Sequence, residues 1–379
     1  MNVVINAVLY HERPRGVGRY LNNLLKKMSE IDKENSFYIY YAPWMSKYEF
    51  LKIRSKNFHF ICLKRIPRNK ILRNFYQTFL FPLIILKNKP DVLHIPDTSP
   101  ILFTTCRTVS TIHDLAEFHF PEKYSKLQSF VRKLTVKLQS RMSHSIITIS
   151  SYSKKDLINI LGLNPNKIKV ILNGVDTERF SFKRNFLSTL NLTRQNYILY
   201  VGELERSKNV PVLLKAYSAL DKKTKKKYSL VLAGRKGNDL ETIEKIINKN
   251  NLDDSVIILD YVTDDELISL YKGSKCFVFP SLFEGFGLPL LEAMSCGSLV
   301  LSSNSSSLPE VGGDCVLYFD PSSPRDLKLK LEEIIEMDEE LVNNYKKKGI
   351  ERASKFTWDE CARKTLNCYT ELNTSKKTY

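Results

Sequence analysis

A doubly wound α/β fold in two domains is the architecture this sequence predicts, and three features carry that expectation. Short apolar runs of strand length alternate with helical patterns through almost all of the 379 residues. The runs are continuous rather than alternating, so both faces of each sheet must be covered, as helices cover a parallel sheet. A turn-rich stretch, NGVDTERFSFKRN at 173–185, breaks the alternation near the middle. At 43% hydrophobic residues, a chain of this length buries a sizeable core and divides in two.

Taken in order, the first half predicts strands at VVINAVLY (3–10), SFYIYYA (36–42), FHFICL (58–63), DVLHI (91–95), TVSTIHD (108–114), SIITIS (145–150) and KVILN (169–173). The second half predicts YILYVGEL (197–204), YSLVLAGR (228–235), VIILDYV (256–262), CFVFP (276–280), LVLSS (299–303) and CVLYF (315–319). Helical patterns between them include VPVLLKAYSAL (210–220), DDELISLYKGS (264–274) and LPLLEAMSC (288–296). The predicted domains are 1–178 and 179–356. The last helix, TWDECARKTLNCYTEL (357–372), is expected to return to the first domain within a tail of 357–379.

Bulk properties narrow the function classes. No apolar run reaches the 18 residues of a membrane span, and the opening MNVVINAVLY reads as a buried strand rather than a secretory leader. Seven cysteines without a C-x-x-C pair suggest neither a disulfide framework nor a zinc site, which fits a reducing cytoplasm. The formal charge of +17 is lopsided. Residues 1–180 hold 29 Lys and Arg against 13 Asp and Glu, whereas 181–379 hold 29 against 28. From Phe50 to Pro90 there are ten basic residues and no acid, so the first half is built to meet something anionic. Within it, KRIPRNKILRNFYQTFLFPLIILKNK (64–89) mixes basic residues with Phe75, Tyr76, Phe79, Leu80, Phe81 and Ile84. Such a segment reads either as an amphipathic helix on an anionic membrane surface or as a core helix with a solvated basic rim.

Four stretches carry candidate chemistry. In SLFEGFGLPLLEAMSCG (281–297), Gly285 and Gly287 allow close backbone approach to a ligand, and a helix starting at Leu288 and Pro289 offers unpaired N–H groups to an anion. Glu292 in that helix can accept two hydrogen bonds from adjacent ribose hydroxyls, and Glu284 in the loop can accept from a hexose hydroxyl. In VGELERSKNV (201–210), a strand ends at Gly202, and Arg206 and Lys208 follow where a diphosphate would sit. In HERPRGVGRYLNNLL (11–25), Gly16 and Gly18 meet only part of a dinucleotide fingerprint, the third glycine position being Leu21. In TVSTIHDLAEF (108–118), His113 and Asp114 close a strand at the carboxyl end, where open sheets bind ligands.

Together these motifs resemble family 4 of the retaining glycosyltransferases, over nearly the whole chain. RGVGRY (15–20) is similar to the family's glycine loop and IHDL (112–115) to its histidine motif. ITISSYSKKDLI (147–158) and ILNGVDTERF (171–180) resemble the end of its first domain. EGFGLPLLEAMSCG (284–297) resembles its paired-glutamate motif, and SSNSSSLPEVGGD (302–314) the segment after it. The likeness is nearest to bacterial mannosyltransferase-like members. It implies a GT-B fold, two Rossmann-like domains facing across a cleft, with the nucleotide-sugar donor on the second and a glycan acceptor on the first. By position, Glu292 binds the ribose, Glu284 the transferred sugar and Lys208 the diphosphate. Gly285, Phe286, Gly287 and Leu288 supply N–H groups, Gly16 and Gly18 join the donor side, and His113 contacts the sugar near the reacting centre, with Asp114 toward the acceptor. Many members carry an arginine directly after the strand's glycine or before the lysine. Here those positions hold Glu203 and Ser207, and Arg206 stands one place earlier.

The implied reaction is hexosyl transfer with retention, GDP-mannose being the favoured donor, onto a lipid-linked glycan in cell-surface polysaccharide synthesis. No Asp-x-Asp triplet occurs in the sequence, so no metal or other cofactor is expected. The site of action would be cytoplasmic, peripheral on the inner face of the membrane through 64–89. Alternatives are a UDP-sugar-dependent member, whose base would be chosen near Tyr261–Asp265, or a sugar-nucleotide epimerase on the same scaffold. A basic nucleic-acid-binding protein would leave Glu284 and Glu292 unexplained and lacks an RNA-recognition aromatic motif.

Overall fold

The computed structural model describes residues 1–9, 16–99, 101, 104–121, 125–180, 186, 187, 192, 196–260 and 262–374. The chain divides into two units, Met1–Gly174 with Thr357–Tyr379, and Val175–Phe356. The division falls inside the turn-rich stretch 173–185, where the Val175 N–H donates to the Phe356 carbonyl at 3.0 Å.

In the first unit, seven strands form one parallel sheet: β1 (Asn2–Asn6), β2 (Ser36–Tyr41), β3 (Phe58–Cys62), β4 (Val92–Ile95), β5 (Arg107–Thr111), β6 (Ser145–Thr148) and β7 (Ile168–Val170). Their order is β3-β2-β1-β4-β5-β6-β7. In the second unit, β8 (Tyr197–Val201), β9 (Ser229–Ala233), β10 (Val256–Leu259), β11 (Cys276–Phe279), β12 (Val300–Ser303) and β13 (Leu317–Phe319) run in the order β10-β9-β8-β11-β12-β13. Every predicted run holds a strand. The central strands are buried over nearly their whole length, Val3, Val4, Ile5, Ile198, Leu199, Phe277 and Val278 among them, which is why their runs are continuously apolar.

Both sheets reverse winding direction once, between β1 and β4 and between β8 and β11. At such a switch point adjacent loops leave toward opposite faces and open a crevice at the carboxyl ends of the strands. The helix Trp358–Thr374 lies on the first sheet. Its Tyr369 hydroxyl meets His94 Nδ1 at 2.6 Å, and its Cys368 Sγ meets Ser145 Oγ at 3.4 Å.

The basic segment 64–89 is helical from Lys70 to Asn88, interrupted by a π-helical turn at Tyr76–Leu80. Of the apolar residues the sequence marks there, Tyr76 and Phe81 are core residues, whereas Phe75, Phe79 and Leu80 are exposed. Among the described residues no helix is long and apolar enough to cross a membrane.

Candidate active site

The second unit brings Lys208 and Glu284 together at its switch point. After β8 the chain runs through Gly202 into a short 3-10 turn, Arg206–Lys208; after β11 it enters the glycine loop. The Leu282 N–H donates to the Ser207 carbonyl at 2.8 Å and holds the two loops side by side. Lys208 Nζ then lies 2.7 Å from Glu284 Oε1, with both side chains mostly shielded from solvent. The Ser281 hydroxyl donates to the same oxygen at 2.7 Å.

A run of serines fixes the glutamate's backbone. The Glu284 N–H donates to Ser306 Oγ at 2.9 Å, and the Ser307 hydroxyl donates to the Glu284 carbonyl at 2.8 Å. Ser305 and Ser303 hydroxyls donate to the carbonyls of Leu282 and Ser281, each at 2.6 Å. Ser306 itself sits at φ +53°, an uncommon conformation for a non-glycine residue. Sequence reasoning names neither these serines nor Ser281 as site residues. Their signal is the run SSNSSS at 302–307, which becomes meaningful only when β12 lies beside β11.

Gly285, Phe286 and Gly287 are buried. Among the described residues, their N–H groups pair with no backbone carbonyl. Gly287 adopts φ +96°, which favours glycine in this turn, and a Cβ there would lie 2.6 Å from Leu308 Cδ2, so that side chain would have to shift. Phe286 packs edge-on against Phe356 at 6.0 Å between ring centroids. The helix Leu288–Ser295 follows with Pro289 in its first turn. Glu292 on that helix is only 6% exposed, and the Tyr271 hydroxyl donates to its Oε2 at 3.5 Å. Glycine also governs the neighbouring loop. A Cβ on Gly234, just after β9, would fall 1.8 Å from the Gly202 carbonyl oxygen.

Arg206 shares the turn with Lys208. Its backbone N–H donates to Asn238 Oδ1 at 3.2 Å, and its side chain is exposed. Near the segment the sequence marks for base selection, Tyr261 lies outside the described residues, and Asp264 is ion-paired with Arg179.

In the first unit, His113 follows β5. Its Nε2 lies 2.9 Å from the Pro96 carbonyl, which can only accept, so this nitrogen carries the proton. Its ring meets Tyr20 edge-on at 4.9 Å. Behind Tyr20 runs a buried hydrogen-bonded chain, from the Tyr20 hydroxyl to Thr111 Oγ1 (3.2 Å), to His94 Nε2 (2.8 Å), and from His94 Nδ1 to the Tyr369 hydroxyl (2.6 Å). Burial, with His113 nearby, pushes the His94 imidazole down to about 3, so it is neutral in this network. Asp114 Oδ1 accepts from the Ala116 N–H at 2.9 Å, at the start of the helix Ala116–His119. Gly16 and Gly18 correct the sequence reading, which places both glycines between strand and helix. Both lie inside the first turn of the helix Gly16–Ile31, Gly16 exposed and Gly18 buried, because the amphipathic pattern already begins there. Arg15 of the same motif lies outside the described residues.

Chain-wide comparisons agree with this layout. Residues 182–352 match the family described as glycosyl transferases group 1, and residues 14–179 match Glycosyltransferase Family 4. The chain is 32% identical over 269 residues to the O-antigen chain mannosyltransferase B of Escherichia coli, covering 69% of this chain and 70% of that one. It belongs to the family 4 glycosyltransferases. The serotype-specific mannosyltransferase WbdA of Escherichia coli is 32% identical over 274 residues, 70% of this chain but only 34% of that longer protein. Among solved structures, the sucrose-phosphate synthase of Thermosynechococcus elongatus superposes with a TM-score of 0.80 at 19% identity, over 99% of both chains. Such a likeness shows the fold, and the glycosyltransferase's two Rossmann-like units are those of GT-B enzymes.

Proposed function

We propose that this glycosyltransferase moves a hexose, with mannose from GDP-mannose favoured, onto a lipid-linked glycan in cell-surface polysaccharide synthesis, retaining the anomeric configuration. The observation that carries the reading is the 2.7 Å pair of Lys208 and Glu284 on adjacent switch-point loops. Breaking the bond between a sugar and a nucleoside diphosphate develops a second negative charge on the leaving group. Lys208, the N–H groups of Gly285, Phe286, Gly287 and Leu288, and the neighbouring Arg206 would face that charge. Deleting one such preorganised group typically costs about 3–4 kcal/mol of barrier. In this reading Lys208 exchanges part of its contact with Glu284 for a diphosphate oxygen. The second carboxylate oxygen of Glu284 accepts from a sugar hydroxyl, and Glu292 accepts from the ribose.

Retention on one face follows if a donor phosphate oxygen takes the acceptor's proton, and the fixed cation and amides then replace a metal. His113, with its Nε2 proton committed to Pro96, would keep its other edge for the sugar near the reacting centre. Gly16, Gly18 and Asp114 complete the first unit's share. The relatives named mannosyltransferases support the choice of mannose, and the basic segment 64–89 would suit an anionic inner membrane face, which supports a cytoplasmic site of action. The test is purified protein incubated with GDP-mannose and a lipid-diphosphate-linked glycan. Mannose should appear on the acceptor with the donor's anomeric configuration by NMR, at an unchanged rate in chelator. Turnover of UDP-sugars alone, or epimerised donor without acceptor, would replace the reading.

A further inference from the structure

We infer that the helix Lys126–Met142 is a second lipid-contacting limb, which with 64–89 forms a two-helix surface for an anionic bilayer. The inference rests on the membrane reading given above and extends it to a helix that the charge pattern alone does not single out. This helix is amphipathic inside out. Its buried residues are Ser129, Val136, Gln139 and Ser140, three of the four polar. Its exposed ones include Leu127 (73% exposed), Phe130 (64%), Val131 (40%) and Leu134 (45%), an i, i+3, i+4, i+7 stripe turned toward solvent. Packing would have drawn that stripe inward, so its outward direction needs another partner.

The segment 64–89 also turns apolar side chains outward, although Tyr76, Phe81 and Ile85 enter the core. Ile71 (78% exposed), Leu72, Phe75 (58%), Phe79, Leu80, Leu83 and Leu86 face outward, while Arg73, Gln77 and Thr78 are buried. The two helices are tied to one loop. The Ser99 hydroxyl donates to Gln77 Oε1 at 2.9 Å, and the Ser99 N–H donates to Gln139 Oε1 at 2.9 Å. Gln139 Nε2 reaches on to the Asp97 carbonyl at 3.2 Å. Three residues before Ser99, Pro96 receives the His113 contact. One short loop therefore joins both apolar faces to the side of the first unit where an acceptor headgroup would be handled.

Charge selects the occupant. Lys126, Arg132, Lys133, Lys137 and Arg141 lie on the second limb, which carries no acid, and 64–89 likewise holds no Asp or Glu. Apolar stripes rimmed only by cations repel a second copy of themselves and match an anionic headgroup layer.

The experiment is vesicle flotation of the full chain with phosphatidylcholine, with and without phosphatidylglycerol, at low and high salt. The variants are L127S/F130S, I71S/F75S and the four-fold combination, with circular dichroism melts to show unchanged folding. Each pair of serines should lower partitioning onto anionic vesicles by about tenfold or more, and the combination should abolish it. If L127S/F130S floats like the wild type while I71S/F75S does not, the second limb is refuted and the membrane reading survives. If the wild type itself does not float, both fail. Loss of a light-scattering dimer in L127S/F130S, without any vesicle binding, would reassign the stripe to self-association and overturn the inference.

Discussion

Lys208 Nζ and Glu284 Oε1 stand 2.7 Å apart although 76 positions separate them along the chain. The contact exists because β8 and β11 are neighbours across the winding reversal, so the loops leaving them meet. A cation placed there by a carboxylate is held ready for an anionic ligand without rearrangement of the backbone.

Removing either partner separates chemistry from stability. Lys208→Ala and Glu284→Ala should each lower kcat by more than about a hundredfold. Lys208→Ala also leaves a poorly solvated carboxylate without its ammonium, a loss of about 1–3 kcal/mol, which the double variant should partly restore. Urea melts of the two single variants and the double variant measure the coupling. Near-normal turnover in either purified single variant would remove that residue from the machinery.

Glu292→Gln should act on binding rather than on the chemical step. On the proposed reading, in which Glu292 accepts from two ribose hydroxyls, the substitution should raise KM by about ten- to a hundredfold with kcat changed little. The informative comparison uses a 2′-deoxyribose donor, which the wild type should disfavour and the variant should accept almost as well as the ribose form. Persisting discrimination would place ribose recognition elsewhere.

Gly287→Ala should strain the loop. Leu308 can shift its terminal carbon away from the new Cβ, but φ +96° remains, at about 1–3 kcal/mol for a residue with a side chain. A lowered melting temperature together with weaker nucleotide binding by calorimetry is expected. An unchanged melt would mean that the loop relaxes freely.

His94 predicts an acid-side instability. Burial holds the native imidazole down to about 3, whereas an unfolded histidine titrates near 6.5. Above roughly pH 6.5 both states are neutral and the difference vanishes. As pH falls from there toward 3, the unfolded chain binds a proton that the native chain refuses, so stability is lost by up to about 1.4 kcal/mol per pH unit. His94→Gln should begin less stable near pH 7, having broken the contacts to Thr111 and Tyr369. It should then lose less than the wild type between about pH 7 and about pH 5 in parallel urea titrations. Equal losses would show that other groups set the acid limb.

The strands, their burial, Glu284 of the glycine loop and Glu292 of the helix after it were legible because each rests on local chemistry. A continuous apolar run, a proline in a first helical turn and a glycine at positive φ are each read within a few residues. In isolation the glycines at 16 and 18 suit a turn between strand and helix, whereas the amphipathic pattern of Gly16–Ile31 draws them into the helix. The outward stripe of Lys126–Met142 could not be read at all, since periodicity reveals an apolar face but not the direction it points.

By itself, then, the sequence determined two parallel sheets, the lopsided charge and the family to which the motifs belong. Only the tertiary structure decided that Lys208 reaches Glu284, that Ser306 and Ser307 hold that glutamate's backbone, and that Tyr369 closes a buried chain onto His94. The reason is one of range. Propensity and pattern act over a turn or a strand, while these contacts depend on which strands become neighbours, and strand order is settled by packing the whole sheet at once.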